Sequence, residues 1–134
     1  MLANTILLTD FGLMVLIWMV QLIAYPVFYY VERDLFIVWH SKYVQLISFF
    51  VVPLMILQFA THCMVWLQER TVYQGIGITL IGLIWTVTFT FSVPCHKALA
   101  KEGKNMEQIT RLIRTNWFRT VGWSAVFMLT LWRY

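Results

Sequence analysis

Three stretches of this chain run without a charged side chain for longer than the hydrocarbon core of a bilayer is thick. They are Phe11–Val31, Tyr43–Gln68 and Thr71–His96. A helix rising 1.5 Å per residue needs about 20 mostly apolar residues to cross. A fourth stretch, Leu112 to Trp132, is apolar apart from Arg114 and Arg119. A chain of 134 residues that is 60% hydrophobic and 12% charged cannot bury so much apolar surface in one water-soluble core. The pattern predicts an all-α fold, an integral membrane antiparallel four-helix bundle. Residues 1–134 form a single domain, with spans over about 11–31, 36–68, 71–96 and 110–132. The first span lacks a basic n-region and an A-x-A-like cleavage site, so it reads as a span and not a cleaved leader.

The connections are short, which makes sequence neighbours antiparallel. The side with the first and third connections then carries Arg33, Lys42, Lys97, Lys101, Lys104, Arg111, Arg114 and Arg119. The other side carries only Arg70 and Arg133. Excess Lys and Arg marks the cytoplasmic face. The expected setting is therefore a bacterial inner membrane with both termini on the non-cytoplasmic side. The net charge of +4 is accounted for by this asymmetry, and no nucleic-acid partner is implied. Cys63 and Cys95 fall on opposite sides and cannot approach within the roughly 7 Å a disulfide requires.

Local signals sharpen the helix ends. Gly103 suits the end of the third helix, and Asn105 with Gln108 suits a capping box opening the fourth. Met106, Ile109, Leu112 and Ile113 form an apolar stripe at helical spacing. Pro94 is expected to bend the third helix just before His96. Trp39, Trp66, Trp117 and Trp132 fall where indole rings anchor helices at membrane interfaces.

Counting from helix ends brings one set of polar residues to the same end of the bundle: Gln21, Tyr25, His40, Tyr43, His96, Asn116 and Arg119. An arginine and an amide within spans cost several kcal/mol against lipid, about the scale of burying any unpaired polar group. They should turn inward, where Arg119 has no carboxylate at its own depth. The layer is a candidate site for an anionic or carbonyl-bearing ligand, with the plainer alternative that these groups snorkel or tie helices together. Two histidines without paired carboxylates suit a bis-ligated haem b better than zinc or di-iron. His40 and His96 would be its two ligands, with Tyr25 and Tyr43 beside His40 as the candidate cofactor-binding residues. Apart from this haem b, no cofactor and no metal site is implied. His62 lies roughly 33 Å along the helix from His40 at 1.5 Å per residue and reads as an outer-interface residue. No nucleophile elbow, Ser-His-Asp set, phosphate loop or CxxC is present.

In the second half, "PCHKAL" gives Pro94, His96 and Leu99, and "NWFRT" gives Asn116, Arg119 and Thr120. These resemble the Pro-x-Asn-x-x-Leu and W-x-x-x-N-x-x-R-T-like motifs of the anthrone oxygenase-like family of small four-helix membrane proteins. His96 stands where that family more often has asparagine. The resemblance implies a cofactor-free, oxygen-dependent oxidation of a flat phenolic or quinone-like molecule. In that scheme His96 takes a proton, Asn116 and Arg119 stabilise the enolate, and Tyr25 and Tyr43 line the pocket. The competing expectation is a non-catalytic accessory subunit of a larger membrane complex or a homo-oligomer. A cavity among Tyr25, His40, His96 and Arg119 separates the two.

Overall fold

The computed structural model describes residues 2–134. Four helices account for nearly all of them: α1 (Leu2–Val27), α2 (Phe36–Glu69), α3 (Val72–Glu102) and α4 (Met106–Arg133). They form an all-α four-helix bundle in which α1 packs against α2 and α4, and α3 packs against α2 and α4. The first three are long and apolar enough to cross a membrane. The fourth is long enough, but its apolar character is interrupted by Arg111, Arg114 and Arg119. The chain is accordingly an integral membrane protein, its exterior carrying Leu22, Phe49, Phe50, Phe89, Phe118 and other large exposed apolar side chains that a bilayer covers.

The helices extend beyond the apolar stretches at several ends: α1 starts nine residues before residue 11 and α3 runs six past His96. Backbone hydrogen bonding, not hydropathy, sets these limits. The α2–α3 turn places Arg70 in the left-handed region (φ 44°), and Thr71 then caps α3 by accepting from the N–H of Gln74. Gly103, at φ 81°, ends α3 in a conformation that lacks a Cβ penalty. Asn105 caps α4, its Oδ1 accepting from the N–H groups of Glu107 and Gln108 at 3.0 and 3.2 Å. The reciprocal bond expected from the Gln108 side chain is not made among the described residues. At the same end Lys104 Nζ donates to the carbonyls of Tyr29 and Val31 at 2.6 and 2.7 Å. That joins the α3–α4 connection to the end of α1.

Two π turns interrupt the bundle, Val20–Ala24 in α1 and Thr88–Ser92 in α3. Each ends just before a proline. The N–H of Tyr25 reaches the carbonyl of Val20, and that of Val93 reaches Thr88, five residues back in both cases. Proline lacks an N–H, and its ring collides with the carbonyl four residues earlier. Widening the helix there accommodates Pro26 and Pro94 without ending it. The expected bend near Pro94 therefore takes the form of a π turn. It shifts the faces that follow by one residue and turns Tyr25 and His96 inward. Pro53 sits inside α2 with no such turn.

Candidate functional site

The two π turns, the first turns of α2 and the first half of α4 meet at the end of the bundle that carries the α1–α2 and α3–α4 connections. His96 stands at the centre. Its Nε2 lies 3.2 Å from the hydroxyl of Tyr25, and its Nδ1 lies 3.0 Å from Nε2 of His40. The His40 and His96 rings stack with centroids 5.2 Å apart. Each imidazole thus bonds the other directly; axial ligands of one haem would instead be separated by the macrocycle. Among the described residues no group of three or more His, Cys, Asp or Glu side chains is placed to hold a metal ion.

Arg119 is 6% exposed. Its Nη1 donates to Asn116 Oδ1 at 3.0 Å, to Ser92 Oγ at 3.2 Å and to the Tyr25 hydroxyl at 3.5 Å. Since Tyr25 accepts from Arg119, its own proton is free to go to His96. The consistent polarity is Arg119 to Tyr25 to His96 to His40. The chain ends on His40 Nδ1, which is buried without a partner. Neither ion pair among the described residues involves Arg119. Its guanidinium faces Trp123, with Cζ 5.1 Å from the ring centroid, an attraction that offsets part of the cost of burying the charge.

Asn116 is fully buried and has both ends of its amide engaged, donating to Gln21 Oε1 at 2.8 Å while accepting from Arg119. It does not line the cavity described below; it orients Arg119. Tyr43 lies against this layer, its ring 6.4 Å from that of His96 and stacked on Trp39. Phe28 is the hub: wholly buried, it presents edges or faces to Phe36, Trp39, His40, Tyr43 and His96. Sequence reasoning passed over Phe28 because it sits beyond the last helical turn of α1, among tyrosines that resemble an interfacial belt. It also missed Ser92, whose inward face depends on the π turn. Trp39, expected as an interfacial anchor, packs partly inward on this cluster. Trp117 and Trp132 are exposed.

A cavity of about 750 Å³ opens from this layer and runs between α2 and α3. Tyr25, His40, Tyr43, His96 and Arg119 all line it at one end; Leu13, Ile17, Val51, Met55 and Trp85 line it toward the other. Five of the seven polar residues that the sequence brings to this end therefore surround one void; Asn116 holds the arginine in place and Gln21 holds Asn116.

A second buried polar cluster lies deeper. Asp10 is wholly buried, accepting from Gln58 Nε2 at 2.7 Å and Thr130 Oγ1 at 2.6 Å, with His62 Nε2 at 3.1 and 3.2 Å from its two oxygens. His62 is 2% exposed, which corrects its reading as an outer-interface residue. It turns inward onto the buried Asp10 carboxyl, which hydrogen-bonds its Nε2, and Gly77 makes room: a Cβ there would lie 3.3 Å from His62 Nδ1. Gln58 Oε1 accepts from Trp123 Nε1 at 3.1 Å, so Trp123 borders both clusters. A signal was available: Gln58 and His62 are one turn apart inside an apolar helix, on one face.

No known protein family, curated protein or solved structure matches the chain.

Proposed function

We infer that this membrane protein binds a flat, oxygen-bearing ligand of quinone or phenol type at the two-loop end of its bundle, and that it moves a proton to or from it. The observation that carries this reading is Arg119: a buried guanidinium at the head of a sizeable cavity, with no carboxylate paired to it. A buried charge without a counter-charge is costly, and an oxyanion or polarised carbonyl supplied by a ligand is what would offset it. The void supports this reading over that of a subunit which merely packs against a larger complex.

In the oxygenase form of the reading, a carbon acid next to a carbonyl loses its proton to His96 Nε2, which the Tyr25 hydroxyl vacates by turning to the ligand's oxygen. The enolate oxygen rests on Arg119; dioxygen, the second substrate, adds at the carbanionic carbon, the peroxide takes the proton back from His96, and loss of water leaves a new carbonyl. His40 accepts the hydrogen bond from the far side of His96 and orients it. Tyr25 is held between Arg119 and His96, where it can exchange a proton with either ligand or imidazole. Asn116 acts through Arg119 as a positioning residue.

The test uses the purified chain in mild detergent with anthrone as probe, followed by oxygen uptake and by the absorbance spectrum of the protein itself. His96→Ala is expected to lower uptake about 100-fold, the usual scale for a lost general base. Arg119→Gln is expected to lower it by a similar factor through loss of oxyanion stabilisation. Uptake indifferent to both substitutions would sink the catalytic reading. Binding of a hydroxynaphthoquinone with no oxygen uptake would leave a binding protein. A Soret band that disappears in His96→Ala would put haem in place of the hydrogen-bonded pair.

A further inference from the structure

The cavity is much longer than a flat ring needs, and its chemistry changes along that length. On α2 its lining runs from His40 to Ile56, and on α1 from Tyr25 back to Leu13. At 1.5 Å per residue these are roughly 24 Å and 18 Å. The charged and titratable lining is gathered at the Tyr25–His96–Arg119 end. Beyond it the walls are mainly aliphatic, with Trp85 and Phe89 on α3. A head group alone would fill one end and leave an apolar trough empty.

The trough is also open sideways. α2 packs on α3 within Val72–Val87 and again within Val93–Glu102, yet no Cα of α2 comes within 8 Å of one in the π turn Thr88–Ser92. The seam there is flanked by Val52, Ile56 and Phe89, which line the cavity and are exposed on the apolar exterior. A bilayer-dissolved molecule can reach the polar layer through this seam without passing the aqueous loops.

The free edge of Arg119 narrows the head. Its protein acceptors all sit on Nη1, while Nε is buried without a partner and Nη2 has no acceptor among the described residues. Nε–H and the adjacent Nη2–H form the side-on fork of a guanidinium. That fork matches two oxygens in one plane, as in a carboxylate.

Resting on the reading of Arg119 as a ligand site, we propose that the occupant is a single-chained lipid. Its flat head sets two adjacent oxygens on the Arg119 fork, and its apolar chain lies along α2 and leaves through the seam at Thr88–Ser92. Two kinds of molecule share this chemistry, a long-chain carboxylate and an alkylated hydroxyquinone, and they differ in which one the aromatic walls of Tyr25, Tyr43 and His96 prefer.

The experiment measures binding to the full chain in phosphatidylcholine nanodiscs. The probes are palmitate, a long-alkyl hydroxynaphthoquinone and the same hydroxynaphthoquinone without its chain. Ser48 lines the trough away from Arg119. Ser48→Phe is expected to weaken the chained head that binds by at least about tenfold, with the chainless compound unaffected. Arg119→Lys, which keeps charge but loses the fork, is expected to weaken all binding heads by a similar factor. A chained and a chainless head that respond alike to Ser48→Phe would overturn the lipid inference and leave the head-group reading standing. Binding that ignores Arg119→Lys would overturn both, marking the trough as an ordinary lipid groove. Palmitate carrying a photoreactive group at its far end gives a measurement on the unmodified protein. Label at Val52, Met55, Ile56 or Trp85 supports the proposal, while label on the outward face of α4 at Phe118 and Val121 overturns it.

Discussion

Asp10 and Arg119 are both buried charges on a bundle made of apolar helices, yet they are treated in opposite ways. The carboxylate of Asp10 is saturated by Gln58, His62 and Thr130, with nothing left to offer a ligand. Arg119 keeps three of its five N–H groups, Nε–H and the two on Nη2, without an acceptor among the described residues. This contrast assigns Asp10 to holding the helices together and Arg119 to binding. Asp10→Ala would strand three buried polar partners at once, each costing on the order of 1–3 kcal/mol if left unsatisfied. It should lower the unfolding free energy in mixed micelles more than His62→Ala, which leaves Gln58 and Thr130 on the carboxylate. A denaturant titration of both variants by circular dichroism checks the order. Equal losses would mean that the imidazole, not the network, is what matters. At this scale the sequence was legible where depth alone decided: Tyr25, His40, His96 and Arg119 could be brought together by counting from helix ends. It was not legible where direction decided. Asn116 and Arg119 share a helical face, but which of them meets the cavity depends on Gln21 having turned inward within a π turn.

At the level of elements, α3 and α4 approach closely because of one missing methyl group. A Cβ at Gly122 would lie 2.7 Å from Cγ1 of Ile84, and Ile84 is itself buried. Small residues let helix backbones approach within membranes, where lipid supplies no hydrophobic drive for association. Gly122→Ala should therefore destabilise the bundle by about 1–3 kcal/mol through overpacking, although alanine is the better helix former. Gly122→Ala combined with Ile84→Ala, which removes both Cγ1 and Cδ1, should cost less in the same denaturant assay than the sum of the two single substitutions. A variant more stable than the wild type would show that the helices have slack at this crossing. The four helices and their order were readable from apolar runs and short connections. The two π turns were not, since proline announces a disturbance without saying whether the helix kinks, breaks or widens. The choice is made by what lies across the bundle, and here that is the Tyr25–His96 contact.

For the whole molecule, orientation rests on the distribution of basic residues: eight of the ten Lys and Arg fall on the two-loop side. By the positive-inside tendency, that asymmetry predicts that the mouth of the polar layer faces the cytoplasm. A reporter fused after Tyr134 should be active only in its extracytoplasmic form, for example phosphatase activity without green fluorescence in a bacterial host. The reverse pattern would turn the bundle over and place the ligand's head on the outer side. The apolar exterior and the lipid setting were fully legible from composition. The continuous void between α2 and α3 was not, because a gap is a property of what neighbouring helices fail to fill.

Lys104 has a bearing on how the molecule is made. Its ammonium closes the ends of Tyr29 and Val31, and it is synthesised only after the residues of the first three helices. Until then the first hairpin carries two peptide carbonyls waiting for a donor, while His40 and Tyr25 wait for His96, and Gln21 for Asn116. The first half of the chain is thus an unfinished receptor for the second. Pulling force measured on a nascent chain arrested at successive lengths would register its last large step as Lys104 and then Arg119 reach the membrane.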